Sequence, residues 1–251
     1  MFSFFSLFLV IAAPGFGSFA ETAYRRRHAP VSDLLNRSRC NSCATRIDVL
    51  SLLPIFGFML TRGRCGICKA KISPYYFLTE CGFLIVAVWA FSFAPAAHLF
   101  PSILFGWSLV LLSRIDIETF TLPDALTLAV LFLALSVLPY DQPYVVLDRA
   151  LGLFSGFILL WFVEMLYQAL RGTPGLGRGD AKLLGALGLW VGFSGLPSVL
   201  LIASLSALLF VIFISLIQRS KPSGQSMIAF GPWLCLAGWL VWMHGPILLS
   251  T

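Results

Sequence analysis

The sequence is poor in charge. Asp, Glu, Lys and Arg make up only 11% of its 251 residues, whereas soluble domains carry about 25%. This shortage argues against a soluble enzyme, and the hydrophobic content of 59% and the mean hydropathy of +0.91 point the same way. Several apolar runs of roughly 18 residues or more are long enough to cross a bilayer as helices. The composition therefore indicates a membrane protein with several spans.

The apolar runs predict an all-α polytopic protein with about eight transmembrane helices. Only helices are expected, because lipid offers the backbone of an open strand or loop no hydrogen-bond partner. The predicted spans are 2–20, 77–95, 98–114, 122–138, 146–170, 181–197, 198–217 and 227–249. We divide the chain into a first transmembrane helix (1–20), a loop module (21–76) and a transmembrane body (77–251).

Basic residues are missing ahead of the first apolar run and from one side of the predicted membrane. Without a positive segment before span 2–20, a cleaved signal peptide is not expected. If eight spans alternate, Arg149 alone among the 17 Lys and Arg residues falls on the opposite side. The positive-inside rule then places both termini outside and the 21–76 loop in the cytoplasm. The net charge of +6 thus reflects the basic residues on the cytoplasmic side of the membrane. No nucleic-acid partner is expected.

Histidine is scarce, with three residues in the chain, so the candidate metal ligands are cysteines. Two C-x2-C pairs lie in the 21–76 loop: Cys40, Cys43, Cys65 and Cys68. Four thiolates suit one tetrahedral Zn²⁺ and leave no open position, which predicts a structural site. A module this small needs a cross-link such as a bound metal ion to remain folded. Disulfides are disfavoured in the cytosol, and a redox role remains an alternative.

Acidic residues number only eleven, and two groups of them fall at the predicted cytoplasmic edges of helices. One group runs from Asp116 to Asp124, and the other contains Asp180. Two aspartates brought together can share one proton, so that one carboxylate activates water while its partner hydrogen-bonds the carbonyl under attack. This is metal-free hydrolysis of an amide. The alternative is that these residues are interfacial and form ion pairs with Arg114, Arg178 or Lys182.

Other residues around these acids have possible roles. Gly175, Gly177 and Gly179 lack side chains, which would let a substrate backbone approach closely. The Arg-Gly-Asp tripeptide ending at Asp180 would suit cell adhesion only in an extracellular loop, and the charge bias argues against that. Glu164 lies inside a predicted span, where an acid is a functional candidate by default, although it could instead pair with a basic side chain.

The motifs together resemble the type IV prepilin peptidases, bifunctional prepilin leader peptidase/N-methyltransferases of bacterial pilus and type II secretion systems. The resemblance runs through most of the chain, and the motifs occur in the family's order. They are Gly17-Ser18-Phe19, the cysteine module with Arg62-Gly63-Arg64-Cys65, the stretch from Ile72 to Glu80, D-x7-D from Asp116 to Asp124, G-x-G-D-x-K from Gly177 to Lys182, and Phe230-Gly231-Pro232.

This resemblance implies a GxGD-type aspartic protease embedded in the bacterial inner membrane. It implies cleavage of type IV prepilins or pseudopilins after a glycine, followed by N-methylation with S-adenosylmethionine. Asp116 and Asp180 would be the catalytic pair. The supporting residues would be Asp124, Gly177, Gly179 and Lys182, and the residues associated with methyl transfer would be Gly63, Arg64 and Glu80.

Three other functions remain open on the sequence. The chain could be a peptidase alone, with a purely structural cysteine module. It could be a non-enzymatic, zinc-stapled scaffold for pilus or secretion assembly. A proton-relaying transporter is the third, but that class is expected to show ionisable groups near the midplane and an internal repeat. No clear repeat is visible in this sequence.

Overall fold

The computed structural model describes residues 4–27, 38–40, 42–48, 50–172, 177–218 and 229–248. The chain forms two compact units, residues 1–92 and 93–251. Within the described ranges the regular structure is helical, and extended pairing is limited to two isolated β-bridges. Each unit is considered by itself below.

The first unit is built on two long helices. These are α1 (Phe4–Arg25) and α3 (Pro74–Phe93), and a 3₁₀ turn at Leu50–Leu52 and the short helix α2 (Phe56–Thr61) lie between them in the chain. The backbones of α1 and α3 approach closely at Gly17, where an added Cβ would lie 3.0 Å from the Cα of Glu80. A side chain at position 17 would therefore push the two helices apart.

The segment between the cysteine pairs is held to the start of α3 by a buried carboxylate. Glu80 accepts a hydrogen bond from the backbone N–H of Ile55 at 2.7 Å. Ile55 has φ 64°, which is costly for a β-branched residue and persists only where the surroundings fix it. The rings of Phe58 and Phe77 also stack, with centroids 5.3 Å apart.

The described residues of the second unit form five α-helices. They are α4 (Leu99–Thr119), α5 (Asp124–Leu135), α6 (Pro143–Arg171), α7 (Arg178–Gln218) and α8 (Gly231–His244), with a 3₁₀ turn at Leu138–Tyr140. Trp190 of α7 joins three of them. Its ring stacks on Phe105 of α4 at 4.0 Å between centroids, and its indole N–H donates to the backbone oxygen of Val130 in α5 at 2.9 Å.

Helix α7 is interrupted at Gly192, whose φ and ψ of 79° and 170° are not helical. The segment after the break is capped from α6. Asp148 accepts hydrogen bonds from the backbone N–H of Ser194 at 3.3 Å and from its hydroxyl at 3.0 Å. We predicted two spans divided after Pro197, but the break comes before this proline. Pro197 thus lies inside the second segment, five residues after the break.

In the part of the chain that the structure describes, five helices are long and apolar enough to cross a membrane, by length and composition. Asp124–Tyr140 forms a shorter apolar segment, and the last predicted span corresponds to the 14-residue helix α8. These findings support the coarser prediction of a mostly helical membrane protein. The number of eight spans remains a prediction.

Close packing of α6 against α7 depends on glycines whose role our sequence analysis missed. A Cβ added at Gly188 would lie 2.2 Å from the backbone oxygen of Gly152, and one at Gly156 would lie 2.8 Å from that of Leu184. Small residues that let backbones touch are a common means of helix association in membranes. The spacing of Gly152 and Gly156 was the available signal.

We expect Gly188→Ala to destabilise the protein by about 1–3 kcal/mol, because the new methyl group meets backbone that cannot move aside. Gly15→Ala is the matched control, since it lies in α1 and a Cβ there meets nothing within 4 Å. Thermal unfolding of both variants in the same detergent is the measurement. Equal melting temperatures for the two variants would contradict the proposed role of the glycine contact.

Candidate functional site

Asp116 lies in the last turn of α4 and is 4% exposed. Its carboxylate accepts a hydrogen bond from the backbone N–H of Gly231 at 3.1 Å. Gly231 opens α8, and the partial positive charge of a helix N-terminus favours a carboxylate there. A Cβ at position 231 would come within 2.7 Å of the Asp116 Oδ2. The sequence singled out Phe230-Gly231-Pro232 as a motif but gave it no role; the structure shows that it holds this acid.

Asp180 lies in the first turn of α7 and is 8% exposed. Its backbone N–H donates to the Gly177 oxygen at 3.0 Å. A Cβ at Gly177 would crowd the Asp180 Oδ2 at 3.2 Å, and a Cβ at Gly179 would lie 3.0 Å from the Cβ of Leu122. Gly177 therefore makes room for the aspartate, and Gly179 makes room for Leu122. Gly175 lies outside the described residues.

The segment from Asp116 to Asp124 folds as a helix end, a turn and a helix start. Helix α4 stops at Phe120, which has φ 52°, and α5 begins directly after Pro123. Leu122 in the turn lies beside the starts of both α7 and α8, because a Cβ on Gly179 or on Gly231 would meet its side chain at 3.0 and 3.2 Å. The turn thus brings the two acidic motifs together.

The neighbouring basic residues pair with other acids. Lys182 Nζ lies 2.6 Å from Asp124 Oδ1, Arg178 Nε lies 3.8 Å from Glu164 Oε1, and Arg114 pairs with Glu118. Of the ion pairs considered from the sequence, the structure shows the one between Lys182 and Asp124. It links the first turns of α5 and α7.

Asp116 and Asp180 are close enough to interact electrostatically. They are buried, come from different helices and lie at the ends of those helices. Two buried carboxyl groups that interact repel each other when both are ionised. The arrangement has the parts needed to polarise a carbonyl and activate a water molecule.

The four cysteines of the first unit converge. All four sulfur atoms lie within 4.8 Å of one another, and the Sγ atoms of Cys40 and Cys68 are 3.7 Å apart. A tetrahedral zinc ion with bonds of ~2.3 Å places its sulfur ligands about 3.8 Å apart. The donor set and its spacing therefore fit one zinc ion.

The two C-x2-C pairs sit in two loops with the same backbone geometry. The N–H of Cys40 donates to the Thr45 oxygen at 2.9 Å, and the N–H of Cys65 donates to the Ala70 oxygen at 2.8 Å. Each loop carries a left-handed residue directly after its second cysteine, Ala44 with φ 54° and Lys69 with φ 58°. An isolated β-bridge between Arg39 and Arg46 closes the first loop, and one between Arg64 and Lys71 closes the second.

The surroundings of the cysteines in these loops also shift the pKa values of their thiols. Hydrogen bonding to Thr45 lowers the pKa of Cys43 to about 6, so this thiol ionises readily at neutral pH. The pKa of Cys68 is raised to about 11, because desolvation and the neighbouring cysteines outweigh the effect of a hydrogen bond with the Ala70 backbone. Metal ligation requires deprotonated thiols, so binding should release protons and weaken in acid.

We expect the purified protein to hold one zinc ion per chain, and Cys40→Ser to lose it because three thiolates no longer close the tetrahedron. Cys81→Ser is the matched control, since Cys81 lies in α3 outside the cluster. Metal content measured by mass spectrometry decides the prediction. Equal zinc content in the two variants would exclude the four-cysteine site.

Two family patterns match consecutive parts of the chain. That of the type IV leader peptidase family matches residues 103–212, and that of the bacterial peptidase A24 N-terminal domain matches residues 11–93. The first range contains both acidic motifs and the second contains the cysteine loops, as the resemblance of the motifs predicted. No solved structure matches the chain.

Curated relatives match over most of their length. The prepilin leader peptidase/N-methyltransferase of Aeromonas salmonicida (strain A449) is 37% identical over 217 residues, which cover 84% of this chain and 72% of that protein. The protein of the same name from Aeromonas hydrophila is 37% identical over 221 residues, or 86% and 74% of the two chains. That from Dichelobacter nodosus is 33% identical over 214 residues, or 84% and 72%. The chain belongs to the type IV leader peptidase family.

Proposed function

We propose that this protein is a membrane-embedded aspartic endopeptidase that removes the leader of type IV prepilins or pseudopilins after a glycine and then N-methylates the new N-terminus. The names of the relatives support the substrate class and the two reactions. The observation that carries the peptidase proposal is the buried pair Asp116 and Asp180, held at the ends of α4 and α7.

Hydrolysis at this pair needs one proton shared between the two carboxyl groups. The ionised group takes a proton from water as the water oxygen attacks the carbonyl carbon, and the protonated group hydrogen-bonds the carbonyl oxygen. The C–N bond then breaks, and the leaving nitrogen takes up a proton to leave as an amine. The Gly231 N–H bond to Asp116 fixes the orientation of one carboxyl group throughout.

The supporting residues act by holding this geometry. The Lys182–Asp124 ion pair ties the first turn of α7, which carries Asp180, to the turn that follows Asp116. Gly177 leaves space beside Asp180 and Gly179 leaves space beside Leu122, which would let an extended substrate backbone come near the carboxyl groups.

Zn²⁺ would be held by Cys40, Cys43, Cys65 and Cys68 in a structural role, because four protein ligands leave no position for a reacting group. The ion would cross-link the two loops of a unit that has little core of its own. The alternative of peptidase activity with a purely structural module therefore remains the second candidate function.

S-adenosylmethionine would supply the methyl group that is transferred to the new terminal amine. The described contacts of Gly63 and Glu80, two of the residues associated with this step, are internal to the first unit. The Glu80 carboxylate accepts a hydrogen bond from the backbone N–H of Ile55. Gly63, with φ 65°, packs against the Phe58 ring. These contacts do not fit a donor site on Gly63, Arg64 and Glu80, so we assign those residues to maintaining the loops.

We place the protein in the bacterial inner membrane with about eight spans, both termini outside and the large first loop in the cytoplasm. The distribution of Lys and Arg supports this orientation. The substrate's apolar helix would lie in the lipid, and only a short stretch at the cytoplasmic face would unwind to reach the aspartates. Membrane lipid is thus a second partner beside the prepilin.

We expect Asp116→Asn and Asp180→Asn each to abolish leader removal, because an amide can neither share the proton nor activate water. Asp48→Asn, at an exposed loop position, is the control and should leave cleavage unchanged. The assay uses full-length protein in lipid with a prepilin that carries glycine at the cleavage point, and intact mass reads the products. Methylation adds about 14 mass units and should require S-adenosylmethionine.

The same assay separates the alternatives. A non-enzymatic scaffold should leave the leader in place with wild-type protein, and a peptidase alone should release it without the added methyl group. Cleavage that persists in a folded Asp116→Asn or Asp180→Asn variant would disprove the paired mechanism.

We expect Gly63→Ala to reduce methylation and zinc content more than cleavage. A Cβ at this left-handed position would lie 2.7 Å from the Phe58 ring and distort the second cysteine loop. Gly66→Ala is the matched control in the same loop, because a Cβ there meets nothing within 4 Å. The ratio of methylated to unmethylated cleaved product is measured for both. Indistinguishable ratios would show that methylation does not depend on the geometry of the second cysteine loop.

A further inference from the structure

The short helix α2 exposes a row of large apolar side chains. Phe56, Met59 and Leu60 are 67%, 61% and 73% exposed, and their spacing of i, i+3 and i+4 places them on one face of the helix. The other side of the helix is packed, because a Cβ at Gly57 would lie 2.3 Å from the backbone oxygen of Ser51. Contiguous exposed apolar side chains mark an interaction surface. We call the three exposed residues the apolar face of α2.

Contacts inside the first unit fix the level of α2 along α3, which is long and apolar enough to cross a membrane. The Phe58 ring of α2 stacks on Phe77 of α3. Ile55, at the start of α2, donates its backbone N–H to Glu80 of α3. At a rise of ~1.5 Å per residue, these two partners lie about 5 and 9 Å along α3 from Pro74. Helix α2 therefore lies beside the first two turns of a candidate membrane span.

That level matches the boundary between lipid headgroups and acyl chains. Helix α3 has 20 residues, so its length of roughly 30 Å equals the thickness of the hydrocarbon core. Amphipathic helices that bind membrane surfaces bury their apolar faces about 5–10 Å into this boundary. Tyr75 and Tyr76, in the first turn of α3, are of a residue type enriched at membrane–water interfaces. The position of α2 along the span is thus the one expected of an interfacial helix.

Protein groups bind the backbone at both ends of α2. At its start, the N–H of Gly57 donates to the Leu53 oxygen at 2.7 Å, and at its end the N–H of Gly63 donates to the Phe58 oxygen at 2.9 Å. A helix in water can leave such terminal groups to the solvent, whereas a helix in contact with lipid cannot. The ends of α2 therefore suit a place from which water is partly excluded.

The charges that follow the apolar face are all positive. Between Asp48 and Glu80 the charged residues of the sequence are Arg62, Arg64, Lys69 and Lys71. Arg62 comes directly after α2 and has an exposed side chain, and Arg64 and Lys71 are paired across the second isolated β-bridge. Each basic residue near an anionic membrane surface strengthens binding severalfold. The apolar face and the charges beside it therefore complement an anionic bilayer.

We propose that residues 50–62 form a membrane-surface segment, in which the apolar face of α2 lies in the boundary between the headgroups and the acyl chains of the bilayer. The basic residues that follow it bind the phosphates of anionic phospholipids. The segment holds the second cysteine loop, which comes directly after it in the chain, against the membrane surface. This inference does not depend on the peptidase proposal or on the methyl-transfer proposal.

The alternative is that protein covers the apolar face, whether the second unit, a second copy of this chain or a prepilin. The two cases differ in their response to lipid. A contact with protein does not depend on the charge of the lipid. A segment bound to the membrane surface does, because anionic headgroups attract basic residues and repel acidic ones.

The first experiment identifies what the apolar face touches. Full-length protein with a photoreactive benzophenone side chain at Leu60 is reconstituted in vesicles of phosphatidylethanolamine and phosphatidylglycerol, irradiated and analysed by intact mass. We expect a phospholipid adduct, in a yield close to that from the same probe at Leu78, an exposed position on α3. The matched control is the probe at Phe58, whose ring packs on Phe77, and it should give severalfold less lipid adduct.

An adduct from Leu60 with the second unit, with a second copy or with added prepilin, in place of lipid, would overturn the proposal. A probe at Leu60 that fails to label lipid while the probe at Leu78 labels it would do the same. If the Leu60 variant does not fold, the probe is placed at Met59, which lies on the same face.

The second experiment tests the charge of the surface. With the probe at Met59, Leu60→Glu should lower the lipid adduct severalfold in vesicles that contain phosphatidylglycerol, because the new carboxylate is repelled by the headgroups. Leu60→Lys is the matched control and should lower it less, since a lysine can extend its amine to the headgroups. The difference between the two variants should shrink in vesicles of zwitterionic phosphatidylcholine alone. Equal losses in both variants and in both lipids would contradict binding to an anionic surface.

Discussion

Like charges can be buried together only where the surrounding structure compensates for the lost hydration and the repulsion. That constraint governs the second unit of this protein. Asp116 is met by the N-terminus of α8, and Asp180 has space made for it by Gly177. The basic side chains nearby are engaged with Asp124, Glu164 and Glu118. The contacts shown for the two acids thus come from the backbone and from the absence of a side chain at a neighbouring glycine.

The glycines divide into those that serve the acids and those that serve helix contacts. Gly177 and Gly231 lie against carboxylate oxygens, whereas Gly152 and Gly188 lie against each other's backbone. The second contact brings α6 against the helix of Asp180, and Glu164 comes with it. The aspartate site therefore depends on the close packing of α6 and α7, although none of the residues that produce this packing carries a charge.

Much of this arrangement could be predicted from the sequence, because the relevant signals are local. Hydropathy indicated membrane helices, C-x2-C spacing indicated the cysteine cluster, and the stretches around Asp116 and Asp180 indicated two helix ends. The partners of these groups could not be predicted, since they depend on tertiary contacts. Nothing near Asp116 in the chain indicates the Gly231 N–H, which lies 115 positions away. The break at Gly192 was misplaced because Pro197 is the stronger local signal, whereas the structure keeps this proline inside the helix and interrupts the helix five residues earlier.

The cap that Asp148 provides also constrains the order in which the second unit is assembled. The start of a helix leaves its first backbone N–H groups without partners inside the helix. The segment after Gly192 begins in this way, and its acceptor, Asp148, belongs to α6, which is synthesised earlier. Chain order therefore makes the acceptor available before the donors leave the ribosome. A circular permutation that moved α6 behind α7 would leave this helix start without its cap until the later helix had been synthesised.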